Sequence, residues 1–402
     1  MAHSRLDVAL LFIARCLRMF AYGALSVVLA LYLHEIGLTG AAIGLLFTLT
    51  LAGDAGISLW ITTTADRIGR KKMLLLGAML MVLAGIVFSL TGNSILLMLA
   101  AIIGVISPSG NEIGPFLALE QAALSQLLPS DKRTKAFAWY SLAGSSATAA
   151  GALVGGFLSK FLTQAGHAEI DSYRAVVILY AACGIVLVLL FLNLSESVEA
   201  PAAPASAHLV LGLHGSKGVV MKLSGLFALD AFAGGFVIQS MVSYWFHIKY
   251  GIDAGIIGGI FFGVNILAGI SALLSARIAG RVGLINTMVF THIPSNVLLC
   301  LVPVMPSLNP AIAMLLLRFS ISQMDVPARQ SYTMAVVSPG ERAAASGITA
   351  IARSIGAAAS PALSGVLIAA PAMISAPFFI AGGLKIIYDL LLYRSFRKVD
   401  VR

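Results

Sequence analysis

Charged residues are scarce in this sequence. Aspartate, glutamate, lysine and arginine together make up 11% of the 402 residues, against about 25% in soluble domains. So few charges could not cover the surface of a soluble fold, which excludes an ordinary water-soluble protein. Cysteine is scarce as well, and the three present, Cys16, Cys183 and Cys300, lie in separate apolar stretches. An odd number of separated cysteines argues against a disulfide framework.

Motifs for several kinds of chemistry are also missing. No phosphate-binding loop of the form G-x4-G-K-[ST] occurs, so direct ATP drive is not expected. The seven histidines show no metal-ligand spacing, and no set of nucleophile, acid and base stands out. The net charge of +9 lies in short loops rather than on one basic face. We therefore expect no cofactor, no metal, no nucleic-acid partner and no enzymatic activity.

Long apolar stretches are what the sequence does contain. Hydrophobic residues make up 59% of the chain, and they occur in runs of about 20, the length of a helix that crosses a bilayer. The alternating segments of a membrane β-barrel, about ten residues each, are absent. The pattern predicts an all-α membrane protein in contact with a lipid bilayer. Its twelve predicted spans are residues 8–33, 41–63, 73–92, 94–127, 136–162, 174–194, 223–247, 255–276, 284–303, 310–337, 343–368 and 376–393.

The distribution of lysine and arginine predicts the orientation of these spans. With both termini placed in the cytoplasm, 17 of the 26 basic residues fall on the cytoplasmic side, three (Lys160, Arg174 and Lys249) on the external side and six deep within spans. Basic residues accumulate in the cytoplasmic loops of membrane proteins. We therefore expect a multi-pass protein of a bacterial-type inner (plasma) membrane with both termini in the cytoplasm.

An internal repeat divides the chain. Residues 65–69 (Ala-Asp-Arg-Ile-Gly) recur as residues 279–283 (Ala-Gly-Arg-Val-Gly), each time between the second and third of six spans. Two parallel six-helix halves around a central path are the expected result. The predicted division is an N-terminal half at residues 1–194, a cytoplasmic linker at 195–222 and a C-terminal half at 223–402.

The repeated loop also carries a family resemblance. Residues 65–71, Ala-Asp-Arg-Ile-Gly-Arg-Lys, resemble the loop motif G-x-L-x-D-R-x-G-R-K of the major facilitator superfamily, with Thr62 at the position of the first glycine. Residues 147–156 resemble its antiporter motif, G-x3-G-P-x2-G-G, without the proline, which stands at Pro361 in the symmetric run. Within the family, the chain is similar above all to bacterial proton-coupled efflux members.

The resemblance implies two pseudo-symmetric halves and secondary transport of a small-molecule substrate by alternating access. The antiporter-like run indicates efflux. The resemblance also implies a conformational latch in the repeated loop, which holds the outward-facing state closed on the cytoplasmic side. The latch residues carried over from the motif are Asp66, Arg67, Gly69, Arg70 and Lys71.

Twelve charged side chains lie inside predicted spans and away from their external ends, and each costs roughly 2.5–3.5 kcal/mol there. On an ideal helix, Arg318, Asp325 and Arg329 fall within about 40° of one another, and Pro327 is expected to kink that helix. This spacing predicts either a charged stripe on the central path or a self-neutralising Asp325–Arg329 pair. Arg318, near the outer end of its span, is expected to be structural.

Three other basic residues also lie inside predicted spans. Lys385 is expected to pair with Asp389, one helical turn further on. Arg15 is expected to extend its side chain to the interface. Arg353 lies on a helix rich in small residues, where a structural and a functional role stay equally open.

The repeat places Arg18 opposite Asp230 at matched depths on the first and seventh spans. Opposite charges at symmetric positions predict an ion pair between the halves. The pair either forms and breaks during transport or joins the halves permanently, and the sequence favours neither alternative.

Several acids at membrane depth are candidates for a proton path, with protons as the expected coupling ion. Glu112 lies in a helix-breaking stretch, residues 108–115, which should face a cavity. With no basic neighbour on its own helix, Glu112 is the first candidate for the proton carrier, and Asp54 is the second. Glu120 and Asp325 are expected to meet arginines.

These patterns together predict a secondary active transporter that moves a small organic solute by alternating access, as proton-coupled efflux. Two alternatives stay open. Uptake or export of an organic anion is indicated by the intramembrane arginines, and a non-transporting sensor on a transporter scaffold is the other. The residues predicted for the substrate or proton path are Arg18, Asp54, Glu112, Glu120, Asp230, Asp325 and Arg329.

Single cysteines placed in the loops test the predicted topology. Residues 66–72, 131–135 and 195–222 should be protected from an impermeant maleimide in intact cells, whereas residues 163–173 should react, because basic loops stay cytoplasmic. The measurement is labelling before and after cell lysis. Reaction of the 195–222 segment in intact cells would reverse the assignment.

Overall fold

The computed structural model describes residues 2–112, 114–199, 215–338 and 341–397. Within these ranges the chain forms fifteen α-helices. The first seven are α1 (Ala2–Glu35), α2 (Gly40–Ile68), α3 (Arg70–Leu90), α4 (Ser94–Ile103), α5 (Phe116–Leu127), α6 (Ser130–Gln164) and α7 (Glu169–Leu192). The next eight are α8 (Lys217–Gly235), α9 (Gln239–Tyr250), α10 (Ala254–Val282), α11 (Leu284–Leu301), α12 (Leu308–Phe319), α13 (Asp325–Ala335), α14 (Arg342–Ala369) and α15 (Ala376–Phe396).

These helices account for the twelve predicted spans. Nine spans are single helices, and three consist of two helices joined by an irregular segment, namely α4–α5, α8–α9 and α12–α13. Ten helical segments are long and apolar enough to cross a membrane, and α4 and α12 are shorter apolar helices. The prediction of an all-α, multi-pass membrane protein with two six-span halves is confirmed.

Two glycines end helices at equivalent places in the two halves. Gly69 separates α2 from α3 with a φ of 115°, and Gly283 separates α10 from α11 with a φ of 85°. Residues with a Cβ rarely adopt these angles, so glycine permits the tight turn between antiparallel helices. Both glycines close the motif that recurs at residues 65–69 and 279–283, so the repeat in sequence corresponds to a repeat in structure.

The two halves are bonded to each other near one face of the membrane domain. Because the chain crosses twelve times, both chain ends lie on one face, which we call the terminal face; the other is the opposite face. Near the opposite face, Gln239 Nε2 donates to Ser26 Oγ at 2.8 Å and Lys160 Nζ lies 3.1 Å from Asp253 Oδ2. The halves are therefore joined at the opposite face.

Glycines bring helix backbones from the two halves into direct contact at the opposite face. A Cβ added to Gly44 on α2 would lie 2.4 Å from the carbonyl oxygen of Pro361 on α14. A Cβ added to Gly156 on α6 would lie 2.4 Å from the carbonyl oxygen of Ala254 on α10. No side chain fits at such distances, so these two helix pairs pack backbone against backbone.

Side chains from neighbouring helices satisfy backbone groups at the three helix breaks. Tyr180 OH donates to a carbonyl of the α4–α5 segment. Ser364 Oγ donates to a carbonyl of the α8–α9 segment at 2.7 Å, and Ser275 Oγ donates to one of the α12–α13 segment at 2.5 Å. Irregular backbone at membrane depth is tolerated where protein supplies such partners. The break predicted at residues 108–115 is present, within the irregular segment between Ile103 and Phe116.

The predicted linker, residues 195–222, is described only in part, because residues 200–214 lie outside the described ranges. Its start is fastened to the first half, since Ser195 Oγ donates to Asp7 Oδ2 on α1 at 2.6 Å. Its end is helical, because α8 begins at Lys217. The exact division of the chain at residues 194 and 223 stays a prediction.

Candidate functional site

A cavity of about 680 Å³ lies between the two halves and is lined by both. Apolar side chains, amides and charged groups share its wall, a combination typical of sites for small molecules. The charged lining consists of five cations and four anions, namely Arg15, Arg318, Arg329, Arg353 and Lys385 with Asp54, Glu112, Asp230 and Asp325. Of the residues predicted for the path, Arg18 and Glu120 are fully buried behind this lining rather than on it.

The first-half cluster consists of Arg15, Arg18, Glu112, Glu120 and Tyr140. Arg18 Nη1 and Nη2 donate to the two oxygens of Glu120 at 2.7 Å each, and Arg18 Nε donates to Glu112 Oε1 at 2.9 Å. Arg15 Nη1 donates to Glu112 Oε2 at 2.5 Å, and Tyr140 OH donates to Glu120. Bidentate, charge-assisted bonds of this kind are the strong ones in proteins. Two cations balance two anions, so this cluster is neutral.

The second-half cluster consists of Asp230, Asp325, Arg329, Arg353 and Lys385. Lys385 Nζ donates to Asp230 Oδ1 at 2.5 Å. The other oxygen of Asp230 accepts from Arg329 Nη1 at 3.0 Å and from Arg353 Nη1 at 3.2 Å. Asp325 pairs with Arg329 at 3.2 Å. Three cations face two anions, so this cluster carries one excess positive charge.

The predicted pair between Arg18 and Asp230 is absent from this structure. Each residue has partners in its own half, Arg18 in the first-half cluster and Asp230 in the second-half cluster. The internal repeat places the two residues at matched depths. It could not show that three cations of the second half surround Asp230 and that two acids of the first half enclose Arg18.

The predicted pair between Lys385 and Asp389 is also wrong. Lys385 turns to Asp230, and Asp389 instead lies 2.9 Å from His292 Nδ1 and accepts from Asn296 Nδ2 at 3.3 Å. Spacing along one helix favoured the pair, but both side chains face charged or polar groups on other helices. Lys385 therefore belongs to the cavity wall rather than to the periphery.

Glu112 and Asp54 differ from the sequence-based expectation in their surroundings. Glu112 lies in the irregular segment between α4 and α5, and Arg15 and Arg18 reach it from α1. Asp54 lines the cavity from α2, where Ser58 Oγ donates to its Oδ1 at 3.2 Å. Among the cavity-lining acids, Asp54 is the one that makes no ion pair with a described residue. The expected lack of a basic partner therefore applies to Asp54 and not to Glu112.

The tenth span is interrupted before the proline rather than at it. The α12 helix ends at Phe319 and α13 begins at Asp325, so Pro327 lies in the first turn of α13, where proline is tolerated. The predicted contact between Asp325 and Arg329 is present. Although the interruption breaks the helical spacing, Arg318, Asp325 and Arg329 line the same cavity.

The latch residues contact the segment that follows the first half. The Glu199 carboxylate accepts from the backbone amides of Arg70 and Lys71 at 2.6 and 3.2 Å, at the start of α3. The N-terminus of a helix favours such an anion. Asp66 Oδ1 accepts from Arg70 Nε at 3.0 Å, and Arg67 makes no ion pair with any described residue. These contacts involve only the first half and the start of the linker, and the latch role in the other conformation stays a prediction.

Several residues of the site were missed or misplaced by the sequence. Tyr140 and His292 carry no fixed charge, so the rule that singled out charged residues in spans passed over them. Arg15 binds inside the first-half cluster instead of reaching the interface. Arg318 lines the cavity and is not held in any ion pair of the described structure, contrary to the structural role expected for it. All four are polar side chains at membrane depth, and that is the sequence signal that could have drawn attention to them.

Two six-span halves around a charged central cavity define a membrane transport protein. The chain belongs to the Major Facilitator Superfamily, whose family model matches residues 11–324. It is 30% identical to the uncharacterized membrane protein YJR124C of Saccharomyces cerevisiae, over 98% of this chain and 95% of that relative. It is 29% identical over 138 residues to the quinolone resistance protein NorA of Staphylococcus aureus, 34% of each chain.

Solved structures share the fold. A bacterial homologue of the human lysosomal transporter Spinster, in an inward-facing and unoccupied conformation, matches with a TM-score of 0.72 at 19% sequence identity, over 98% of this chain and 95% of that one. Family and fold together identify a transporter rather than an enzyme, and the resemblance stated from the loop motif is confirmed.

A double-mutant cycle tests the partner assignment of Arg18. Arg18→Met and Glu120→Gln should each lower the free energy of unfolding by about 3–5 kcal/mol, because each leaves the buried first-half cluster with an unbalanced charge. The double variant should lose less than the sum, by about 1–3 kcal/mol. Arg18→Met combined with Asp230→Asn should be additive. The measurement is denaturant unfolding in detergent micelles, and strong coupling between Arg18 and Asp230 would contradict the assignment.

Proposed function

We propose that this chain exports a small organic solute across a membrane in exchange for protons, by alternating access. Asp54 carries the proton. The observation that supports this role is that Asp54 lines the cavity without an ion-pair partner among the described residues, whereas Glu112, Asp230 and Asp325 are all paired.

The ion pairs decide which acid can change its charge at low cost. Protonating Glu112 or Asp230 would leave buried arginines or a lysine without a counter-ion, which costs several kcal/mol. Protonating Asp54 breaks no ion pair. Its serine partner, Ser58, remains a neutral hydrogen-bonding neighbour in either charge state. Asp54 can therefore take up and release a proton while both clusters stay intact.

Bonds that join the halves at the opposite face are what we expect of one of the two states that alternating access requires. If the terminal face lies in the cytoplasm, as the loop charges predict, this state faces inward. In the outward-facing state the terminal face closes. Asp66 and Arg67 on the latch loop are exposed here and are then free to contact the second half.

Export rather than uptake is supported by two observations. Residues 147–156 resemble an antiporter motif. A third of the chain is similar to NorA, a protein named for quinolone resistance. Solute export against proton entry uses the inward proton gradient of a plasma membrane directly, which fits the lack of a phosphate-binding loop.

Proteoliposomes with an imposed pH gradient test the role of Asp54, with a solute identified by a thermal-shift screen of drugs, metabolites and oxyanions. Wild-type protein should accumulate the solute against its gradient. Asp54→Asn should lose this accumulation, to the level of protein-free liposomes, but retain exchange of solute for solute, because exchange needs no net proton transfer.

Two control variants separate a loss of proton coupling from a general loss of transport. Asp171→Asn, at the opposite face, should behave as wild type. Glu112→Gln should lose both accumulation and exchange, because it breaks the pairs with Arg15 and Arg18. Accumulation that ignores the pH gradient, or survives in Asp54→Asn, would overturn proton coupling through Asp54. Solute binding without any movement in wild type would favour a sensor.

A further inference from the structure

Arg318 is a buried cation without a counter-ion. Its side chain lines the cavity from the end of α12 and is 9% exposed, and its Nε has no hydrogen-bond partner. No ion pair to its guanidinium forms within the described part of the chain, and its one assigned contact is with the ring of Phe319, 4.6 Å from Cζ to the ring centroid. The other four cavity-lining cations, Arg15, Arg329, Arg353 and Lys385, are each paired with an acid.

The acids nearest to Arg318 in the second half are already engaged. Asp230 accepts from Arg329, Arg353 and Lys385, and Asp325 pairs with Arg329. A guanidinium held at membrane depth without an anion is unfavourable. It also presents donor groups in a planar fork that matches a carboxylate or a phosphate. The missing partner is therefore expected to arrive from the cavity.

The surroundings of Arg318 indicate what else such a partner contains. Leu315 and Phe319 precede and follow it on α12, and Phe261 and Val264 line the cavity from α10. These apolar side chains fit an apolar body better than a sugar or another polyol. The cavity lining carries five cations and four anions, so one negative charge on a ligand would balance it.

We propose that Arg318 binds the anionic group of the transported solute, which makes the substrate class a small organic anion with an apolar body. This inference rests on the proposed transport function only in identifying the bound anion with the transported solute. The binding itself requires neither proton coupling nor a direction of transport.

Matched sets of probe ligands test the proposal on purified full-length protein in detergent. Each set contains an acid, its primary amide and the corresponding amine, for example 1-naphthoate, 1-naphthamide and 1-naphthylmethylamine, with benzoate, benzamide and benzylamine as a smaller set. Inorganic phosphate completes the series. Ligands that bind the native state raise its Tm by mass action.

The acids should raise the Tm of the wild-type protein more than their amides and amines do. In Arg318→Gln the Kd for the acids should weaken by about ten- to hundredfold, the effect of losing charge-assisted hydrogen bonds. Arg277→Gln removes an exposed arginine from α10 outside the cavity and should leave the Kd unchanged. Arg318→Lys should retain part of the affinity, because the charge remains but the planar fork is lost.

A second measurement separates binding from folding. Because Arg318 lacks a counter-ion, Arg318→Met should unfold in denaturant at or above the wild-type midpoint, whereas Arg329→Met should unfold earlier since it leaves Asp230 and Asp325 underpaired. A marked loss of stability in Arg318→Met would indicate a structural partner and overturn the proposal.

The remaining outcomes are also decisive. Equal or greater stabilisation by amides or amines, no response to any acid, or an acid response that survives in Arg318→Gln would each overturn the proposal. So would an acid response that appears only in Asp54→Asn, because it would make Asp54 the counter-ion of Arg318 in the wild-type protein. Proton-driven transport of a neutral solute would contradict this inference and leave the proposed function standing. Anion binding at Arg318 without proton-driven transport would support this inference and contradict the proposed function.

Discussion

Each half of this protein neutralises most of its buried charges internally, and the rest of the structure depends on that constraint. Arg18 is enclosed by Glu112 and Glu120 in the first half, and Asp230 is surrounded by three cations in the second. Charges in a low-dielectric region are costly to separate. Because the buried pairs lie within the halves and not between them, the halves can move apart without separating a buried ion pair.

The contacts that do join the halves are of a weaker kind. Glycine-mediated backbone packing, as at Gly44 against Pro361, a few neutral hydrogen bonds and the partly exposed Lys160–Asp253 ion pair close the opposite face. Such contacts form and break at small cost compared with buried ion pairs. Two cavity-lining charges make no ion pair with a described residue, namely Asp54 on α2 and Arg318 on α12. An exchanged proton and a bound anion are the partners that fit them.

The sequence predicted the fold well because its signals are local. Runs of apolar residues mark the twelve spans, and the glycines at 69 and 283 mark equivalent turns. The charged members of the site were also found, because any charge at membrane depth is conspicuous. Their partners were not, because Lys385 and Asp230 are 155 residues apart along the chain and helical spacing is silent about neighbours on other helices. The symmetry of the repeat suggested that Arg18 pairs with Asp230. Symmetry predicts that the two residues lie at matched depths in the membrane, but it does not predict the distance between their side chains.

Distances between spin labels test most directly whether the halves move as intact units. Labels at His167→Cys and Met373→Cys span the opposite face, labels at Lys72→Cys and Arg281→Cys span the terminal face, and labels at Lys72→Cys and His167→Cys report on the first half alone. Gly44→Ala places a Cβ against the Pro361 carbonyl, whereas Gly56→Ala on the same helix meets open space. With Gly44→Ala the opposite-face distance should lengthen, the terminal-face distance should shorten and the distance within the half should stay constant, while Gly56→Ala matches wild type. A changed distance within the half, or opening at one face without closure at the other, would contradict the account.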